Sequence, residues 1–308
     1  MQPNPESVIR RGDGHVVAFK AHRCLWSGDY IENSLPAIEE CLREGVARAE
    51  IDLHPLRGGD FLVLHDETID AATTGTGRTD ALSPREAESV RLRGKDGVSS
   101  ERPPFFSEVA ARIQAAPSPT IVELDLGRIE PLPWPRIEEL AALAQPIKDH
   151  VLFNGCDWNM RRLVAVDERL PVAYDLYPHL DWLPHGDPDE DELGMPRGAY
   201  GYLDAHPLAR RRYTTTPEYL IDRLSALVRL VPGAREIHLR LATFERMRDD
   251  GLEDVAGFFH RHGLLLDVWT LNADAPRWRE RLADLLAAGV DTITSDTPRA
   301  LHSATIKL

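Results

Sequence analysis

The chain has 308 residues, 43% apolar and 28% charged, with a formal charge of −14, the length of an α/β barrel and the composition of an ordinary water-soluble protein. No apolar stretch approaches the roughly 18 residues a membrane span requires, and the acidic balance repels nucleic acid and anionic lipid at long range. Cys24, Cys41 and Cys156 are odd in number and widely spaced, which argues against a disulfide framework and against a clustered thiolate site.

The first fourteen residues, MQPNPESVIRRGDG, lack the apolar segment of a secretory signal, so a cytoplasmic location is expected. From there, short aliphatic or β-branched runs recur at 16–22, 48–54, 119–126, 150–154, 172–177, 236–241, 264–270 and 291–295. Each precedes a stretch with helical spacing. Strands alternating with helices imply parallel βαβ units, and eight of them predict a closed (β/α)8 TIM barrel, taken as one domain over residues 1–308.

After the first strand, Asn33-Ser34 provides a helix N-cap, Leu35, Ile38 and Leu42 share one face, and Gly45 suits the C-terminal cap. Residues 66–118, with TTGTG, a helix candidate from Pro84 to Leu92 and a Pro103-Pro104 break, read as an insertion after the second strand. A second excursion, 180–216, follows the fifth strand and carries an acidic run from Asp187 to Glu192. Loops at that end of a barrel strand reach the catalytic face, and Trp182, Tyr202, Arg211 and Tyr213 are candidates to cap a substrate there. The last repeat places Leu282, Leu285 and Leu286 on one helix face, ends at Gly289 and resumes as the strand DTIT.

Strand alternation also locates chemistry. In AEIDLH, Glu50, Asp52 and His54 point to one face, and in IVELDL, Glu123 and Asp125 do the same. Carboxylates converging on a barrel interior need cations, and a hard divalent ion, Mg²⁺ or Ca²⁺, held by Glu50, Asp52 and Glu123 answers that need. His22 and His65 end the runs VVAFKA and FLVL. Imidazole ordinarily titrates near neutral pH, so a pair of them can serve as acid and base. Arg23, beside His22, offers a planar fork to a phosphate oxygen.

The ordered set of His22-Arg23, Glu50-x-Asp52, His65-Asp66 and Glu123 resembles the glycerophosphodiester phosphodiesterase family, from AHR at 21 to SDTP at 298. Glu32-Asn33, TTGTG, Trp269-Thr270-Leu271-Asn272 and GVDTITSDTP support it. The resemblance implies a (β/α)8 barrel with an extra segment after strand 2. It implies His22 and His65 as acid and base, Glu50, Asp52 and Glu123 as metal ligands, Arg23 as a phosphate contact, Glu32 as pocket support and Trp269 as a wall for the alcohol. The implied substrate is a small phosphodiester, with no nucleic-acid partner.

The chain also departs from the family pattern. Cys24 stands where glycine is usual, Ile31 replaces a proline and Ala72 an arginine. The largest change is Asp125, where the family has a lysine facing the substrate phosphate. Lys20, two residues before His22, points into the same interior by alternation, and is expected to supply the lost charge by pairing with Asp125 or by reaching the phosphate. A metal-dependent isomerase or aldolase on this fold, and a phosphodiester-binding barrel without turnover, are the competing readings. The motifs GxxxxGK[ST] and GxSxG are absent.

Overall fold

All eight expected strands form in the computed structural model, which describes residues 1–305: β1 Val16–Ala21, β2 Arg48–Pro55, β3 Ile121–Leu126, β4 Val151–Gly155, β5 Ala173–Asp175, β6 Glu236–Arg240, β7 Leu265–Trp269 and β8 Thr292–Ser295. Parallel ladders join them around the ring from β4 through β1 and β8 to β5, and the bridge Phe153–Val172 joins β4 to β5 at the remaining seam. This is a TIM barrel. Val8–Arg10 adds an antiparallel strand beside β1.

A helix follows every strand: α1 Leu35–Glu44, α2 Phe106–Ala115, α3 Trp134–Ala144, α4 Asp157–Val166, α5 Thr216–Leu227, α6 Leu241–Asp249, α7 Trp278–Ala288 and α8 Pro298–Thr305. The cap of α1 is Ser34, whose side chain accepts from the Ala37 amide, and Gly45 closes the helix at φ 65°. Outward strand residues such as Phe19, Ile51, Leu124, Leu239 and Val268 are buried in a core shared with the helices, each large side chain contributing about 1.5–3 kcal/mol. No helix among the described residues is long and apolar enough to cross a membrane.

The segment after β2 is smaller than the sequence implies, because α2, inside the expected 66–118, is a barrel helix. The rest begins as a hairpin: Phe61–Val63 pairs antiparallel with the end of β2. Leu62, Leu64, Ile69, Val90, Leu92 and Phe105 form a separate small core beneath it. The expected helix shortens to Pro84–Ala87, started by a Ser83–Glu86 capping box. This hairpin carries His65 to the barrel mouth.

The excursion 180–216 is tied down by Asp204, which is fully buried and accepts from the Tyr219 hydroxyl at 2.6 Å and from Arg223 at 2.6 and 3.1 Å. The aromatic and basic residues expected to cap the substrate lie elsewhere. Tyr202 is buried with its hydroxyl on Asp250, Trp182 packs under Arg197 and Arg246, and Arg211 and Tyr213 are exposed. The physical reason is that the apolar side chains gain more from the core under the loop than from a wet cleft. The excursion instead lends the cleft Asp189 and Glu192.

Candidate active site

At the C-terminal ends of the strands lies a cleft of about 580 Å³. His22, Arg23, Glu50, Asp52, His65, Glu123, Lys20 and Trp269 all line it. Glu32 does not. It grips the Arg23 guanidinium from behind at 3.0 Å.

After β1 the chain turns sharply, with Arg23 at φ 49° and Cys24 at φ 59°. Two consecutive left-handed side-chain-bearing residues are unfavourable by about 1–2 kcal/mol each. The turn aims the Arg23 amide at Glu50 Oε2, 2.6 Å away, and leaves His22 Nε2 4.0 Å from the same oxygen. On its other side His22 Nδ1 meets Asp296 Oδ1 at 2.7 Å. Burial pushes the Asp296 carboxyl up, but the hydrogen bond and charge of His22, with Asn272, hold it below the ordinary range. An ionised carboxylate only accepts, so the Nδ1 proton is fixed and Nε2 faces the cleft.

His65 Nδ1 meets Asp66 at 2.8 Å, and the backbone oxygen of His65 accepts from His54 Nε2 at 2.8 Å. This second histidine is far more open to solvent, 45% exposed against 22% for His22. The two rings are therefore built differently, one in a carboxylate relay within the barrel and one on the hairpin rim.

Deeper in the barrel, side chains that alternation turns inward form a charged layer where aliphatic residues usually pack. Lys20 Nζ sits 2.6 Å from both Glu123 Oε1 and Asp267 Oδ2. Arg48 holds Glu236 through two bonds of 3.0 and 2.9 Å and reaches Glu123 Oε2 at 3.3 Å. His238 Nε2 is 3.0 Å from Glu236 and 3.5 Å from Glu123. Burial opposes the charge on His238, but Glu123 and its neighbours win and raise it to about 9. Three cations thus face three carboxylates, Glu123, Glu236 and Asp267. The expected Lys20–Asp125 pairing gives way to this set because Glu123 and Asp267 reach the ammonium first.

That raised value has a stability consequence. A group raised on folding stabilises fully below its unfolded pKa of about 6.5 and loses that contribution as pH climbs through about 9. Urea midpoints are expected to fall between pH 6 and pH 9.5, and His238→Gln to flatten the decline. An equal slope in that variant would refute the assignment.

Nearer the mouth, Glu50, Asp52 and Asp125 each offer an oxygen within 4.8 Å of the others. Asp52 is fixed by Asn33, which donates to Oδ2 at 2.7 Å and accepts from the Asp52 amide at 3.2 Å. Glu50 is 3% exposed, yet its Oε1, like Asp125 Oδ1, has no hydrogen-bond partner. Desolvation first, then the neighbouring carboxylates, push both carboxyls well above the ordinary range. Buried oxygens crowded this way and left unpartnered fit a hard divalent cation.

With that geometry in hand, likeness to known proteins decides the family. The model of the glycerophosphoryl diester phosphodiesterase family matches residues 22–300. The chain belongs to that family. Membership places it among phosphoric diester hydrolases, and 62 of its residues are 42% identical to bovine glycerophosphodiester phosphodiesterase 1, a stretch covering 20% of this chain and 18% of the bovine protein.

Solved structures of the family share the fold across nearly the whole chain. A glycerophosphoryl diester phosphodiesterase of Parabacteroides distasonis superposes with a TM-score of 0.63 at 18% identity, covering 97% of this chain and 89% of its own. An Oleispira antarctica phosphodiesterase, solved with the product sn-glycerol-3-phosphate, gives 0.59 at 18% identity over 94% and 96%. The Agrobacterium tumefaciens glycerophosphodiester phosphodiesterase gives 0.57 at 16% over 93% and 99%.

Sequence reasoning named the two histidines and the Glu50–Asp52 pair that line the cleft, but gave no place there to Asp296, Asn272 or Arg240 and read Asn33 only as part of a helix cap. Asp296, Asn272 and Asn33 stand inside the quoted motifs SDTP, Trp269-Thr270-Leu271-Asn272 and Glu32-Asn33. Asp296 and Asn33 hydrogen-bond His22 and Asp52, and Asn272 holds Asp296. Arg240 ends a strand in the stretch EIHLR, where its alternation with Glu236 and His238 was the available signal.

Proposed function

We propose that the protein is a metal-dependent phosphodiesterase that releases an alcohol from a glycerophosphodiester or related small phosphodiester. The observation that carries this is the cleft lined by two carboxylate-braced histidines and by three crowded carboxylates, of which Glu50 and Asp125 each have a buried oxygen with no hydrogen-bond partner. A bound Mg²⁺ or Ca²⁺ would supply charge neutralisation for the phosphoryl oxygens. His22 and His65 divide the proton transfers, one taking the proton of the attacking oxygen and the other delivering one to the departing alcohol. The attacking oxygen comes from water or from a hydroxyl of the substrate, which gives a phosphomonoester or a cyclic phosphate. Trp269 walls the alcohol side.

The ligand set we favour is Glu50, Asp52 and Asp125. Both oxygens of the expected third ligand, Glu123, already face cations: Lys20 at Oε1 and Arg48 with His238 at Oε2. The charge of position 125 has changed from the cation usual in the family to an anion, and ligation accounts for that. Asp125→Asn is expected to weaken Mg²⁺ or Ca²⁺ binding at least about tenfold by calorimetry, equivalent to 1.4 kcal/mol, while Glu123→Gln leaves it within a factor of about two. The reverse order would restore Glu123 as the ligand.

The overall reading is tested by alcohol release from a panel of phosphodiesters with glycerol, choline, ethanolamine and inositol groups, with and without chelator. Chelator-sensitive release is expected, and phosphorus NMR separates monoester from cyclic product. Absence of release with every diester and both metals would overturn the reading.

A further inference from the structure

Carboxylates outnumber lysine and arginine side chains around the cleft, so an anionic substrate needs a cation that the protein has not already neutralised. Three lysine or arginine side chains line the cleft: Lys20, Arg23 and Arg240. Lys20 is spent on two carboxylates at 2.6 Å and is 2% exposed. Arg23 gives its NH1 to Glu32 and lies 3.9 Å from Asp52.

Arg240 is placed differently. It ends β6 opposite Trp269 on β7, and its guanidinium lies over the Trp269 ring at 4.6 Å and near Tyr177 at 5.9 Å. Nε donates to Asp181 Oδ2 at 3.1 Å, so its close carboxylate holds Nε, whereas in Arg23 a terminal nitrogen is taken by Glu32. Asp181 is 3% exposed and is itself held by the Thr243 hydroxyl. A buried carboxylate behind and a stacked ring beneath fix the plane of the fork.

Arg240 lines the cleft, and its NH1 has only Asp189 nearby, at 3.8 Å, a half-exposed side chain from the excursion. Next to this fork, Trp269 Nε1 is a buried donor without a partner. An indole N–H can only donate, and this one is closed off from solvent, so the ring serves Arg240 as a platform.

We propose that the terminal nitrogens of Arg240 bind the non-bridging oxygens of the substrate phosphate, with Asp189 occupying Arg240 until substrate displaces it. The proposal rests on the phosphodiesterase reading and names where its phosphate is held. Bidentate binding by a stacked arginine gives geometry as well as charge. Asp181 is a positioning residue, acting through Arg240.

The test is calorimetry of sn-glycerol-3-phosphate binding to the Mg²⁺-loaded protein. Arg240→Gln is expected to weaken binding at least about tenfold, with Mg²⁺ affinity unchanged. Arg240→Lys, which keeps charge and bulk, is expected to recover only part of it, because an ammonium lacks the fork. Asp189→Asn is expected to tighten binding by about two- to fivefold, the size of an exposed ion pair. Arg240→Gln within twofold of the parent, or weaker binding in Asp189→Asn, would overturn the proposal. An Arg240-dependent phosphate site in a protein that cleaves no diester would instead remove the catalytic reading and leave this one standing.

Discussion

Replacing His22 with glutamine is expected to lower kcat by about 10²–10⁴-fold, the contribution of a positioned acid–base group, with little change in thermal stability. The ring is 22% exposed at the cleft wall and contributes little apolar burial. Its Nδ1 is committed to Asp296 at 2.7 Å, so Nε2 is the nitrogen left for the proposed proton transfer. Glutamine keeps a polar side chain near Asp296 and removes the imidazole that would carry the proton.

The relay predicts a graded series. Asp296→Asn keeps the shape but presents an amide that can donate to Nδ1, which favours the wrong tautomer and should displace the acidic limb of the pH–rate profile as well as reduce kcat. His65→Gln should also reduce kcat, with the effect on KM set by its more open position on the rim. Full activity in His22→Gln, within about tenfold of the parent, would move the acid–base role to another group, with His54, which also lines the cleft, a candidate. His54 is buried, and burial first of all lowers its pKa, so it is a poor substitute as a base that must be charged in turn.

The sequence made the architecture legible because each strand run is short, β-branched or aliphatic, and followed by helical spacing. It overextended the insertion because α2 follows the Pro103-Pro104 break, which reads as loop. Alternation showed that Glu50, Asp52, Glu123, Asp125 and Lys20 point inward, and all five line the cleft. It could not show depth. Position along a tilted strand decides whether an inward carboxylate sits at the mouth or the floor, and two residues separate Asp125 near Glu50 from Glu123 among Lys20, Arg48 and His238. The floor partners Glu236, His238 and Asp267 come from strands over 100 residues away, so no local pattern announces them.

Lys20→Met is expected to destabilise the protein by about 3–5 kcal/mol, the loss seen when one partner of a buried ion pair is removed. A domain has only about 5–15 kcal/mol in total. Methionine fills much of the volume, so the deficit is electrostatic. Glu123 Oε1 and Asp267 Oδ2 lose the ammonium 2.6 Å from each, and Asp267 keeps the Thr294 hydroxyl at 2.8 Å on its other oxygen and His238 no nearer than 3.9 Å. The charges of Arg48 and His238 cannot balance three carboxylates alone. Adding Asp267→Asn to Lys20→Met removes one of the stranded anions and should recover part of the loss, which a double-mutant cycle in urea measures. The phosphate role considered for Lys20 predicts a different pattern, a near-normal urea midpoint with weakened sn-glycerol-3-phosphate binding. Finding that pattern would put Lys20 in the substrate pocket and leave the buried layer without its central cation.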